Sequence, residues 1–397
     1  MRFVGVDIAS ETHVFAVVDE AGKTVLKPTA FKEDSEGYKS LVQALGEPKD
    51  VLVAMEATGH YWKNLFARLA SGGFQVALLN PLRTRRFAEV DLERAKTDAL
   101  DALTIARFAA QKRPAATPLT DAALEQLREL VRLRERLMQQ FGDTVRQLHR
   151  LVDLGFPEFT RYVKDIGSEL AVSLLRKYPT AKAFADAKPR AVRYLRYDGR
   201  HFVGKELADQ LIATARVSVG AHHAPAWQIQ VHYACEDLCT LRQRLRTLDN
   251  DIERKLREHE VGSLLTSIEG IGPLTAARLV AELGNPADFR DAKALASYVG
   301  VVPATSQSGK SQRQRAGLSH LGNARLRHAL WMPTLTAVRK NPWLRRHYEA
   351  LRARGKLPKV ALIACMRKLL SAVYSVAKHR KPFVSILPSP NPSPAPA

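Results

Sequence analysis

"RFVGVDIASETHVFAVVDEAGKTVLKPTAF", residues 2 to 31, decides how the N-terminal part of this chain is read. It breaks into three apolar segments, "RFVGVDIA", "HVFAVVDE" and "TVLKPTAF". Short runs rich in β-branched and aromatic residues, with period-two alternation, are the pattern of strands. Glu20-Ala21-Gly22 supplies a turn between the second and the third. The three therefore predict an antiparallel meander. Asp7 does not suit a core strand, because an unpaired carboxylate inside "FVGVDIAS" costs several kcal/mol in desolvation.

Outward from the meander, a helix from about Ser35 to Leu45 leads to the strand "DVLVAMEA" from Asp50. A helix from about Tyr61 to Ala70 ends at Gly72-Gly73, and the strand "FQVALLN" stops at Pro81. A meander followed by alternating helices and strands predicts a mixed α/β sheet. The order β-β-β-α-β-α-β-α fits a ribonuclease H-like fold, in which the first and fourth strands are neighbours and the last helix packs across their ends.

Glu56 closes the fourth strand, and "RAKTDALDALTIA", residues 94 to 106, carries Asp98 and Asp101 three residues apart on one helical face. Locally, Thr97 can cap that helix and leave both acids in its first turn, or Lys96 and Arg94 can neutralise them. In the predicted fold, however, Asp7, Glu56, Asp98 and Asp101 converge. Four carboxylates at one point repel unless cations bind among them. Two Mg²⁺ ions about 3.5–4 Å apart, driving in-line attack at a phosphodiester, are the usual solution.

Length and charge widen the picture. At 397 residues the chain can hold two or three domains with proper cores. Three cysteines, Cys235, Cys239 and Cys365, make no disulfide framework and suit a reducing cytoplasm. The N-terminus enters a strand pattern rather than a signal peptide. No uninterrupted apolar run reaches a membrane span, since Arg367 and Lys368 interrupt "VALIACMRKLLSAVYSV". The formal net charge is +21, and nineteen Lys and Arg from Lys293 to Lys381 face Glu349 alone, so that stretch holds +18 of it. Such exclusion of acids predicts a polyanionic partner, nucleic acid rather than membrane.

Two long helices are predicted between these ends. Residues 120 to 153 carry an apolar repeat interrupted by Arg134, and a second begins at Pro225 with a heptad seam from Trp227 to Ile252. They can pair within one chain or across a dimer. Residues 154 to 224 read as a small helical insert. Gly270-Ile271-Gly272 resembles a helix-hairpin-helix turn, whose amides meet phosphate without reading sequence, and equally fits a plain helix–helix turn. Trp331, Trp343, His347 and Tyr348 fit stacking on bases or core packing. His232, Cys235 and Cys239 have ligand-like helical spacing but favour packing, and His222-His223 reads as loop. "PSPNPSPAPA" is a low-complexity tail.

Asp7, Glu56, Asp98 and Asp101 match the D-E-D-D pattern of RuvC-like resolvase domains. "YVGVVP", "SG" and "GNARLR", in that order within residues 294 to 330, match a second domain. From residue 1 to about 382 the chain resembles the DEDD transposases of the insertion-sequence one-hundred-ten family. The resemblance implies a RuvC-like domain over 1–115, a coiled-coil and helical linker over 116–262, a mainly helical C-terminal transposase domain over 263–382 and a disordered tail over 383–397.

It also implies a site-specific DNA recombinase with Asp7, Glu56, Asp98, Asp101 and Ser308 as catalytic residues, the four acids holding Mg²⁺. Ser308 would be the nucleophile, with Ser306, Ser311 and Ser319 as competitors. A phosphoserine linkage keeps the energy of the broken bond for rejoining. Lys310, Arg313 and Arg315, with Gly270, Gly272, Asn323, Arg325 and Arg327, would contact nucleic acid. Donor and target DNA, a non-coding bridge RNA, assembly into dimers or tetramers through the coiled coil, and a place in the bacterial cytoplasm at the nucleoid are implied with it. A hydrolytic junction nuclease would need the acids but not Ser308. A sugar kinase would need a second phosphate loop and an adenosine site, and neither is present in the sequence.

Overall fold

The computed structural model describes residues 1–385 apart from 91–96, 120, 303–306, 309–310 and 313–321; at 90, 307, 308, 311 and 312 only the backbone is described. The chain divides into two compact units, Met1–Asp121 and Ala122–Ala397.

The first unit holds the strands β1 (Arg2–Asp7), β2 (Thr12–Val18), β3 (Thr24–Lys32), β4 (Val51–Glu56) and β5 (Gln75–Leu79). Its helices are α1 (Ser35–Leu45), α2 (Trp62–Ser71), α3 (Pro81–Val90) and α4 (Asp98–Lys112). The sheet order is β3-β2-β1-β4-β5. β1, β2 and β3 are antiparallel neighbours, whereas β4 runs parallel to β1, and β5 parallel to β4. The meander is therefore present as the apolar pattern predicts, and β1 and β4 are neighbours as the ribonuclease H-like order expects. The helix over α3 was not anticipated, because its sequence, "PLRTRRFAEV", carries little apolar periodicity.

Alternation divides the sheet between two cores. Val4, Val6, Val53 and Met55 face the side covered by α1 and α2. Phe3, Leu52 and Ala54 face Ile105, Ala106 and Ala109 of α4. On that second face α4 comes very close to β1. A Cβ at Gly5 would stand 2.2 Å from the Ala102 carbonyl oxygen and 2.3 Å from the Ala106 nitrogen. Backbone thus meets backbone, and the alanines of "DALDALTIA" are small because nothing larger fits there.

The second unit is built on α5 (Ala122–Gly155) and, after the insert, α11 (Pro225–Arg257). The insert comprises α6 (Phe159–Tyr162), α7 (Glu169–Lys177), α8 (Ala181–Ala185), α9 (Pro189–Arg193), the two-stranded β6 (Arg196–Tyr197) and β7 (His201–Phe202), and α10 (Lys205–Ala215). The two long helices pack antiparallel. Arg134 Nε meets Asp249 Oδ1 at 2.5 Å, and Arg242 stacks on Phe141, so seven residues forward on α5 match seven back on α11. Arg134, the polar interruption in the seam, is thereby partnered. Leu127 and Val131 share one core with Leu248, Ile252 and Leu256, while Leu148, Leu151 and Val152 share another with Val231, Ala234 and Leu238. The heptad seam is covered within the chain.

Beyond α11 come α12 (Glu260–Leu265), α13 (Pro273–Leu283), α14 (Ala292–Val299), the short strands β8 (Gln307–Ser308) and β9 (Ser311–Gln312), α15 (Ala324–Lys340), α16 (Pro342–Ala353) and α17 (Pro358–His379). Contrary to the sequence expectation, α17 is apolar and long enough to cross a membrane by length and composition, since two cations do not offset its apolar windows. Cys365, Met366, Leu369, Leu370 and Val373 of that helix are buried in the core of this unit. Trp331, Trp343 and Tyr348 pack against the same core. Phe383 packs at a tilt against Trp343, and its amide donates to Ser267 Oγ.

Gly5→Ala should cost about 1–3 kcal/mol through overpacking of β1 against α4. Urea unfolding followed by circular dichroism measures this, and an unchanged midpoint would show that α4 can withdraw freely.

Candidate active site

Each acid reaches its place for a separate reason. Asp7 is the last residue of β1, and two-residue alternation puts it on the same face as Phe3 and Gly5. Glu56 ends β4 one step beyond the Met55–Val6 pair, on the same face as Leu52 and Ala54. Both therefore project on the α4 side, at the carboxyl ends of adjacent parallel strands. Helix α4 begins at Asp98. Thr97 caps it by accepting from the Leu100 amide at 3.3 Å, and both Asp98 and Asp101 lie in its first turn. The capped first turn read locally is present, and the same turn brings both aspartates near enough to Asp7 to act on its charge. Residues 91–96, with Arg94 and Lys96, lie outside the described residues.

The four carboxylates sense one another. Burial, then Asp101, Asp98 and Glu56, push the Asp7 carboxyl up from 3.8 to about 6, against one stabilising bond from the Ile8 amide. The three charges acting on it are all carboxylates, which is the environment a bound cation relieves. The donors, all Asp and Glu oxygens, are those Mg²⁺ prefers. Among the described residues, however, no three His, Cys, Asp or Glu side chains are set as ligands of one ion. The set is chemically suited to the metal, but its side chains do not form a closed cage.

Three neighbours of this site carried no sequence signal. Thr84, buried on α3, donates to Glu56 Oε1 at 2.5 Å, and Thr58 Oγ1 lies 3.4 Å from Oε2. His13 is fully buried on β2. Its Nδ1 accepts from the Ala9 amide at 3.2 Å, so Nε2 carries the proton and donates to Glu33 at 2.6 Å. The bond from the Ala9 amide ties the turn directly after Asp7 to His13. Burial raises the Glu33 carboxyl, but hydrogen bonds from Tyr38, His13 and Asn64 outweigh it and hold the group below its ordinary value.

The remaining candidates lie in the second unit. Ser308 ends β8 and pairs in the backbone ladder with Ser311. Ser306, Lys310, Arg313, Arg315 and Ser319 lie outside the described residues. Asn323 caps α15 through the Leu326 amide at 3.2 Å. Arg327 donates to the carbonyls of Val299 and Gly300, and Arg325 lies 3.8 Å from Glu282. Gly270 is explained by packing, since a Cβ there would fall 2.6 Å from the Ala337 Cβ, whereas Gly272 faces open space at the start of α13. Cys235 is fully buried in the insert core, and burial pushes its thiol up to about 12. His232 pairs with Glu236. Cys235 and Cys239 thus serve packing, whereas His232 is exposed.

Comparison with known proteins converges on one group. Residues 4–157 match the family model for the DEDD transposase of IS110, and residues 262–349 match that for the transposase of the IS116/IS110/IS902 family. The insertion element IS110 uncharacterized 43.6 kDa protein of Streptomyces coelicolor is 27% identical, over 98% of this chain and 96% of its own length. The pilin gene-inverting protein of Moraxella bovis is 26% identical, over 96% and 97%. The transposase for insertion sequence element IS1328 of Yersinia enterocolitica is 24% identical, over 83% and 82%.

In metal-free protein, folded Asp7 keeps its proton to about pH 6 while the unfolded chain releases it near 3.8. Its contribution to stability therefore falls as pH rises through that window. Asp7→Asn should stabilise the metal-free chain at pH 7 by roughly 1 kcal/mol after solvent screening. Millimolar Mg²⁺ should raise the melting temperature of the wild type and leave that of Asp7→Asn unchanged. Equal shifts for both proteins would remove Asp7 from the metal site.

Proposed function

The chain belongs to the transposase family of IS110, IS116 and IS902 and is a DNA recombinase, and we propose that it cuts and rejoins DNA with the acidic cluster and Ser308. The observation that carries this reading is the gathering of Asp7, Glu56, Asp98 and Asp101 at one end of the sheet, where the other three raise the Asp7 carboxyl. The strand order β3-β2-β1-β4-β5, with only β4 and β5 parallel to β1, supports a ribonuclease H-like unit. The antiparallel α5–α11 pairing supports a coiled-coil linker.

In this reading Asp7, Glu56, Asp98 and Asp101 hold two Mg²⁺ ions. Bound there, they supply Lewis-acid stabilisation of the charge that develops on a phosphodiester under attack. Thr84 orients Glu56, and His13 fixes the turn that carries Asp7. The Ser308 hydroxyl gives its proton to solvent and attacks phosphorus, an Oγ–P bond forms as the P–O bond to the sugar breaks, and the departing sugar oxygen takes a proton from solvent to leave as a hydroxyl. Rejoining reverses the exchange with a new sugar hydroxyl, so no external energy source is needed. Lys310, Arg313 and Arg315 hold the phosphate, with Gly272 and Arg325 as further nucleic-acid contacts.

The +18 stretch from Lys293 to Lys381 supports binding of DNA and of a bridge RNA that pairs with donor and target. Assembly as a dimer or tetramer and a place in the bacterial cytoplasm at the nucleoid belong to the same proposal.

Recombination of a plasmid carrying the element's ends tests it. Ser308→Ala should abolish a denaturation-resistant protein–DNA adduct and reduce recombination by about 10³-fold or more. Asp98→Asn combined with Asp101→Asn should stop strand exchange as well. Loss of both adduct and recombination in Ser311→Ala, with Ser308→Ala active, would move the nucleophile. Cleavage without any adduct would favour a hydrolytic nuclease.

A further inference from the structure

The insert carries a surface that neither the acidic site nor the C-terminal basic stretch includes. Between Lys188 and Lys205 there are six lysines and arginines against Asp198 alone. Asp198 is occupied by the hairpin turn itself, accepting from the Arg200 and His201 amides and pairing with the His201 ring. Arg193 is held by Asp209 in a bidentate pair. The other cations of this segment are left to face outward around two exposed rings, Tyr194 at 64% and Phe202 at 47% exposure.

These rings meet edge-on at 6.3 Å, and the Arg196 guanidinium lies 5.1 Å from the Phe202 centroid. Lys188, Arg190 and Tyr194 line an open cavity of about 480 Å³ beside them. The platform is rigidly mounted. Val192 and Val203 are buried and Leu195 packs on the insert core, while the Val203 and Gly204 amides tie back to the Leu195 and Arg193 carbonyls. Exposed aromatic faces on a fixed base, ringed by unpaired planar cations, match the chemistry of unpaired bases joined by phosphates.

We propose that the β6–β7 hairpin and the end of α9 bind a single-stranded stretch of nucleic acid. Tyr194 and Phe202 stack on bases, and Lys188, Arg190 and Arg196 hold the flanking phosphates. A duplex offers the phosphates but keeps its bases stacked on each other, so the rings select unpaired strand. The proposal goes beyond the cutting and rejoining reaction and is independent of which serine attacks.

Full-length protein is tested by fluorescence anisotropy with labelled oligo(dT) and oligo(U) of about 20 nucleotides and with a duplex of the same length. Tyr194→Ala combined with Phe202→Ala should weaken single-strand binding about tenfold or more and leave duplex affinity within about twofold. Tyr194→Trp combined with Phe202→Trp should retain it. Arg190→Ala combined with Arg196→Ala should lower the salt slope for single strands by about 1 to 2. Irradiated bromouracil-substituted strands should crosslink at Tyr194 or Phe202 by peptide mapping, and the better substrate, deoxy or ribo, tells which strand is the occupant. Unchanged affinity for both strands without a crosslink in the hairpin overturns the proposal. So does an equal loss on the duplex.

Discussion

The contact on which the first unit depends is the meeting of two backbones at Gly5. Helix α4 can lie this close to β1 because position 5 has no side chain, so that the strand meets the helix backbone at Ala102 and Ala106. That approach brings the first turn of α4 over the end of the strand two residues later, where Asp7 stands. A side chain at position 5 would lift the helix and separate Asp98 and Asp101 from Asp7. The packing is dense and apolar behind the acids, with Phe3, Ile105 and Ala109 buried. This lowers the dielectric around them and is why burial leads the causes that raise the Asp7 carboxyl. A stable scaffold is thus used to hold a locally unfavourable concentration of charge.

The second unit solves a different problem, how to keep two helical bodies in register along a pair of long helices. The Arg134–Asp249 pair joins the two helices at the edge of the C-terminal core, with the guanidinium partly buried. Hydrophobic contacts of leucines alone tolerate slippage by a heptad, whereas a half-buried guanidinium left without its carboxylate does not. The insert core then grows on one end of the helix pair and the C-terminal core on the other.

Asp7 and Glu56 were legible because each stands where an apolar strand gives a carboxylate no structural reason to be. Asp7 interrupts an apolar strand and Glu56 ends one. The pair Asp98 and Asp101 was ambiguous by sequence, since a cap and a metal-facing pair have the same local pattern; Thr97 caps the helix and the same turn faces Asp7. Thr84 and His13 were not legible. A buried threonine or histidine has no characteristic spacing, and each is held in place by a carboxylate 28 or 20 residues away. Gly270 and Arg327 suggested nucleic acid by type, yet each meets a neighbour that only packing supplies, Ala337 and the carboxyl end of α14.

By itself, then, the sequence determined the strand meander, the two long amphipathic helices, the four acids and the basic C-terminal stretch, because periodicity, charge and composition are local properties of the chain. Tertiary structure alone decided that the heptad seam closes within one chain, that α17 is a core helix, and that Thr84 and His13 support the acids. It also decided that two exposed rings of the insert share a platform with unpaired cations. These depend on which surfaces meet across tens of residues, and contact of that kind is set by packing geometry that no local pattern encodes.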